Sequence, residues 1–227
     1  MWEKIVQELH QLAALVFIFL LPSCLLGGLY WRRLPRAFRI LVVYLWFDLA
    51  IEIGARVLGY ITHNNLPLLH VYTWGEMLLW SLFYREILHP STVFVRYFQW
   101  ITGIVLALVI LNSVFLQGPT TFNSYAKTLV QLMVILYALS YAFNFLLEDT
   151  PTKLWQKVVG PINAAVLFYY CGSLFIFMFS NLANPSNWVG GFEFLWDVNI
   201  ILYVIFQAVV LFSLCRLVIL TPQRSSF

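Results

Sequence analysis

The feature that most constrains this chain is the recurrence of apolar stretches long enough, at roughly 20 residues each, to cross the hydrocarbon core of a bilayer as a helix. Seven can be marked, at 12–31, 38–62, 67–88, 97–117, 126–147, 160–181 and 192–217. The connections RRLPRAF, THNNLP, HPSTVFVR, QGPTTFNS, EDTPTKLWQ and NLANPSNWVGG are short and rich in turn formers or charge. None of them can fold alone, so residues 1–227 read as a single domain. Only 10% of the residues are charged, against about 25% in a soluble domain. Such a chain cannot clothe a water-facing surface. The expected fold class is all-α: a polytopic membrane protein, a seven-transmembrane-helix bundle with the lipid bilayer as its solvent.

Orientation follows from the basic residues, which concentrate in cytoplasmic loops. Arg32, Arg33, Arg36, Arg39, Arg85, Arg96, Lys153, Lys157, Arg216 and Arg224 make ten of the thirteen, and alternate crossings put all of them on one side. Lys4 and Lys127 fall on the other side and Arg56 within a helix. The expectation is an N-terminus outside and a C-terminus in the cytoplasm, in an integral membrane protein of a bacterial inner (cytoplasmic) membrane.

The N-terminal residues carry a faint lipoprotein-like pattern, with Lys4 followed by an apolar run and Leu21-Pro22-Ser23-Cys24. The run continues past Cys24 to Trp31 and meets Arg32–Arg33, however, and a cleaved signal is shorter and lacks that basic stop. The first segment is therefore expected to stay as a helix. Ahead of it, Trp2, Ile5, Val6, Leu9 and Ala13 share a face, which fits an amphipathic helix at the outer interface or a simple extension of the first membrane helix.

Charges inside apolar segments are the candidates for function, since each costs about 2.5–3.5 kcal/mol at a helix centre on insertion scales. Asp48, Glu52, Arg56, Glu76 and Asp197 are such residues. The first three are four apart and share one helical face, and Glu52–Arg56 is an i,i+4 pair in the favourable order. At about 1.5 Å per residue Asp48 and Glu76 reach mid-membrane, and the rest fall in the outer half. Glu76 has no basic residue within a turn of its own helix, so another helix, water or a proton must meet its charge. Glu76→Gln is expected to fold nearly normally, because Gln keeps the shape and removes the desolvation cost, while ligand binding or transport falls at least tenfold. With the second, third and seventh segments adjacent, Glu52, Arg56, His70, Tyr72, Glu76, Trp196, Asp197 and Asn199 would line one outward-facing, aromatic-walled, ligand-binding cavity, the usual form of a small-molecule site. Arg56 suits an anionic group, Glu76 or Asp197 a cation or proton. Histidine as a residue type has a reference pKa of about 6.5, so His70 is a candidate for titration near neutrality, or for a plain bond to a loop carbonyl.

Other readings find no residues to carry them. The seventh segment has no lysine for a Schiff base, and no compact ligand motif such as H-x-x-x-H supports a metal. No cofactor, catalytic residue or nucleic-acid partner is expected. A weak internal repeat lays Val71-Tyr-Thr-Trp-Gly-Glu-Met-Leu-Leu on Glu193-Phe-Leu-Trp-Asp-Val-Asn-Ile-Ile, matching Trp74 to Trp196 as in transporter repeats.

The stretches LFYYCGSLFIFMFSN and LWDVNIILYVIF, with HNNLPLLHVYTWGEMLLWSLFYREIL, resemble uncharacterised seven-helix bacterial membrane proteins. The genes of that group often accompany histidine kinases or response regulators, so the resemblance implies a sensory role; it carries over no functional residues. The function expected first is a receptor or sensor that binds a small molecule and signals to a separate cytoplasmic protein through RRLPRAFR and REILHPSTVFVR. A small-solute transporter comes next, then a structural subunit of a membrane complex.

Cysteines introduced at Asn64, Thr120 and Ser186 are expected to react with membrane-impermeant maleimide in intact cells, and those at Pro35, Thr92 and Thr152 only after permeabilisation. The reverse pattern would overturn the orientation.

Overall fold

Where the chain turns, its residues show why. The computed structural model describes residues 2–147, 156–180 and 189–220, with side chains described at 14–146, 157–178 and 194–220. All regular structure among these is helical: α1 (Trp2–Leu29), a 3₁₀ turn (Trp31–Arg33), α2 (Arg36–Thr62), α3 (Leu66–Ile87), the single turn α4 (Val93–Arg96), α5 (Phe98–Leu111) with a π-helical end (Asn112–Leu116), α6 (Ser124–Leu147), α7 (Gln156–Ser180) and α8 (Val189–Leu220). Helix α1 runs unbroken from Trp2, as an extension of the first membrane segment would. The side chains of the amphipathic face expected there lie outside the described residues, as do Lys153 and Arg224.

Pro35 precedes α2 with its fixed backbone angle, and α2 ends where His63 takes a left-handed conformation (φ 55°) and donates its N–H to the Gly59 carbonyl. Asn64 Oδ1 accepts from Leu66 N at 3.0 Å, and Pro67 sits in the first turn of α3, where its missing N–H costs nothing. The far end of α5 widens by one residue, with Gln117 N donating to Asn112 O at 2.7 Å. Gln117 then joins the next helix: its Oε1 accepts from Asn112 Nδ2 and Tyr125 N, and its Nε2 donates to Ser124 Oγ.

The long helices pack in a closed circuit, α2 on α3, α3 on α6, α6 on α7, α7 on α8, and α8 on α1, which returns to α2. Helix α5 lies outside this ring against α3 and α6. Trp80 is the hub. Its ring lies 4.9 Å from Tyr44 on α2, 6.0 Å from Tyr170 on α7 and 6.1 Å from Phe206 on α8, and all four side chains are fully buried. Polar ties run beside it, from Tyr84 Oη to Asn163 Oδ1 at 2.9 Å and from Asn163 Nδ2 to the Ala138 carbonyl at 3.1 Å.

The outer surface is apolar. Trp100, Phe115, Leu146 and Ile219 are each more than 70% exposed, as side chains facing lipid are. Among the described residues four helices are long and apolar enough to cross a membrane: Phe98–Leu116, Ser124–Leu146, Lys157–Met178 and Phe194–Leu220. The protein is thus an integral membrane helix bundle. Helices α2 and α3 are less apolar than those four and carry the buried acidic residues Asp48 and Glu76, with His70, Thr73 and Ser81 beside them.

At Gly75 α3 meets α2 so closely that a Cβ would overlap the ring of Phe47, itself stacked on Tyr72 at 6.1 Å. Overpacking of this kind costs about 1–3 kcal/mol. Gly75→Ala is expected to lower unfolding stability in detergent by that amount, and Phe47→Leu in the same chain to recover part of it. A Gly75→Ala protein as stable as the parent would show that the helices separate freely there.

Candidate functional site

Glu76 lies midway along α3, on the face turned to α6 and α7, and has no exposed surface. Its charge is met by another helix. Lys127, in the first turn of α6, places Nζ 2.8 Å from Oε1 and 2.6 Å from Oε2, and Tyr170 of α7 donates its hydroxyl to Oε1 at 2.8 Å. The same ammonium sits 4.5 Å from the ring centroid of Tyr72 and 5.5 Å from that of Phe177. A long side chain near a helix end lets Lys127 enter the membrane at the rim and deliver its charge deeper in. Spacing along the sequence reads Lys127 only as an outer-side charge. The signal that could have paired it was the unmet carboxylate of Glu76, with few cations on that side to answer it.

Beside this pair a cavity of about 800 Å³ opens between α2, α3, α6, α7 and α8, with Val16 of α1 on one side. It begins at the α2–α3 turn, where Tyr60, His63 and Asn65 form its rim, and deepens along α2 past Arg56 and Glu52 to Asp48. Tyr72, Tyr169, Phe177, Trp196 and Tyr203 supply aromatic walls, and Lys127, Asn123 and Asn199 contribute polar ones. Asp48 is only 2% exposed. Tyr203 donates its hydroxyl to Asp48 Oδ2, and Gln207 Nε2 donates to the same oxygen at 2.9 Å. Below that level Tyr44, Trp80, Tyr170 and Phe206 fill the bundle, so the cavity ends at mid-depth.

Of the residues picked from the sequence, Glu52, Arg56, Tyr72, Trp196 and Asn199 come together on this lining. Glu52 and Arg56 approach to 3.9 Å with both side chains over a third exposed, and the guanidinium lies 4.7 Å over the ring of Phe17. A pair so open contributes at most about 1 kcal/mol. The other three stand off the lining. Glu76 is behind Lys127. Asp197 is half-buried, its Oδ1 without a hydrogen-bond partner among the described residues. His70 is 2% exposed and reaches from α3 to the π-helical end of α5 and the loop after it, with Nδ1 2.8 Å from Ser113 Oγ and Nε2 3.1 Å from the Thr121 carbonyl, to which it donates. Beside it Asn123 Nδ2 donates to Thr73 Oγ1 at 2.7 Å and to the Leu69 carbonyl. His70 thus fastens α3 to the α5–α6 connection. Lys127, Tyr169 and Tyr203 are lining residues that sequence reasoning missed, and Asp48 entered it only as a mid-membrane charge. Trp74 and Trp196, matched in the repeat, have different surroundings: Trp74 donates to Ser113 Oγ, and Trp196 packs on Phe122 and Phe177.

In comparisons with known proteins, no family model, no curated protein and no solved structure matches this chain.

Removing one partner of a buried ion pair costs about 3–5 kcal/mol, because the other charge is left in a dry interior. Lys127→Met and Glu76→Gln should each destabilise the bundle on that scale, so Gln is no longer expected to be neutral. The Glu76→Gln/Lys127→Met double variant should lose much less than the sum of the two. Additive losses in detergent unfolding would mean that the groups are not coupled.

Proposed function

We propose that this protein is a membrane receptor or sensor, which binds a small molecule in the cavity above Asp48 and passes the event to a separate protein at the opposite end of the bundle. In this reading the chain crosses the bilayer seven times, with the N-terminus outside and the arginine-bearing end in the cytoplasm of a bacterial cell. The observation that carries the proposal is that the cavity is closed below. A dead-ended, aromatic-walled pocket with a few convergent polar groups is built to hold a ligand, and among the described residues the helices that line it run unbroken past the site, without the discontinuous segments common in alternating-access carriers.

The far end of the bundle suits an output surface. Arg32, Arg33, Arg36, Arg85 and Arg96 are exposed there, and Arg36 bridges α2 to α3 through Glu86 at 3.4 Å. Arg39 is held by the Leu34 carbonyl at 2.9 Å, and Arg85 lies 4.7 Å over Phe98. Trp80 touches helices on three sides between cavity and output end, so a shift of α2 or α8 around a ligand would be felt by the tightly packed core.

The purified protein in liposomes, screened by thermal shift against small polar and aromatic compounds, is expected to yield a stabilising ligand. At a hundred times its Kd such a ligand adds about 2.7 kcal/mol. Ala55→Trp, which places a large ring in the cavity lining, should abolish the shift, and the ligand should not cross the membrane. Flux of the bound ligand would replace the sensor by a transporter, and a shift untouched by Ala55→Trp would move the site elsewhere.

A further inference from the structure

Resting on the reading of this cavity as a ligand site, we propose that its occupant is a small organic ammonium ion, seated on Asp48. The charges around the cavity do not cancel. Glu76 is matched by Lys127, and Glu52 faces Arg56 at 3.9 Å. Asp48 has no cation within ion-pair distance among the described residues; the groups bonded to it are the hydroxyl of Tyr203 and the carboxamide of Gln207. Both act on Oδ2, which leaves Oδ1 of a cavity-lining carboxylate with no donor among the described residues. A carboxylate this deep in a low-dielectric bundle is stable as an anion only with positive charge beside it.

The surroundings decide which kind. A bare metal ion asks for several oxygen ligands, and here the groups bonded to Asp48 are one phenol and one carboxamide, with aromatic rings around them. Tyr203 touches Asp48, and the Tyr169 ring stands 5.4 Å from that of Tyr203, both on the lining. Carboxylate beside aromatic rings is the setting in which an alkylammonium is held by an ion pair together with cation–π attraction. The faces of Tyr72 and Phe177 already serve Lys127 in the same way.

The ligand needs no carboxylate of its own. Arg56 is the cation at the mouth, but it lies eight residues from Asp48 along α2, about 12 Å at helical rise. An α-amino acid, whose charged groups are about three bonds apart, cannot reach both. Its carboxylate would instead lie near Asp48 and Glu52, where like charges repel. The cavity, at about 800 Å³, leaves ample room for an apolar body attached to the ammonium.

The test compares primary alkyl- and arylalkyl-ammonium ions, from propylammonium to phenethylammonium, with their isosteric alcohols and with the matching α-amino acids. Binding to the full chain in lipid nanodiscs is measured by calorimetry. The ammonium ions are expected to bind at least tenfold tighter than either counterpart. In Asp48→Asn, which keeps the side-chain shape and an oxygen for Tyr203, ammonium and alcohol should become equal. The comparison on the unaltered protein stands even if that variant fails to fold. Alcohols or amino acids binding as well as the ammonium ions would overturn the proposal, as would a folded Asp48→Asn protein that keeps the preference. If only neutral or anionic compounds stabilise the protein, the ammonium assignment falls and the ligand cavity survives. If compounds of no charge class do so, both fall.

Discussion

The interaction on which the arrangement depends is the pair of Glu76 with Lys127, because neither charge has an alternative inside a bilayer. Water would dissolve either one; in the buried interior they have each other, with the Tyr170 hydroxyl on Glu76 and the rings of Tyr72 and Phe177 beside Lys127. Meeting that requirement draws α3, α6 and α7 to a common point and fixes the rotation of each helix about its axis. The rest follows. With α3 turned so that Glu76 faces α6, Trp80 one turn further on faces the bundle axis, where Tyr44, Tyr170 and Phe206 enclose it. Tyr72, one turn the other way, sits over the Lys127 ammonium and forms a wall of the cavity.

The bundle is therefore divided by depth. One half is filled with interlocking aromatic rings, and the other is left partly open and lined with polar groups. The division has a packing origin: large rings on α2, α3, α7 and α8 converge at one level, while above it α2 turns Glu52, Ala55 and Arg56 to the cavity, side chains too small or too polar to fill it. A rigid half beneath an open half allows a ligand in the second to be felt through the first, and this gives the receptor reading its mechanical sense. The hydrogen bonds of His70 and Asn123 keep the rim of the open half attached to the α5–α6 connection, so that the cavity keeps its shape without being filled.

Much of the architecture was written in the linear pattern. The apolar runs marked in the sequence fall on the long helices, although α1 begins at Trp2, well ahead of its run, and among the described residues four of these helices are long and apolar enough to cross a membrane; a helix in lipid must satisfy its own backbone, which leaves little choice of secondary structure. Pro35, Pro67 and the Asn64–Asn65 turn mark their helix ends in the sequence as plainly as in the structure. The placing of charges inside segments, from Asp48 to Asp197, was equally open to reading, and five of the eight residues chosen from it lie on one cavity.

What the chain alone could not decide is which charge answers which. Helical periodicity shows that Asp48, Glu52 and Arg56 share a face, but not what that face meets. Glu76 finds Lys127 across 51 residues, and Asp48 finds Tyr203 across 155. Nothing local encodes such separations; they are set by the order in which helices pack and by the azimuth of each. For that reason His70, equally suited by composition to a ligand role, became a structural tie, and Lys127, which looked like a marker of topology, became the centre of the site. The sequence by itself determined a membrane-embedded helix bundle and its inventory of costly interior groups, since these follow from hydrophobicity and spacing. Tertiary structure alone decided which of those groups neutralise one another and which one, Asp48, is left facing an open space, since that depends on distances between helices that no single helix carries.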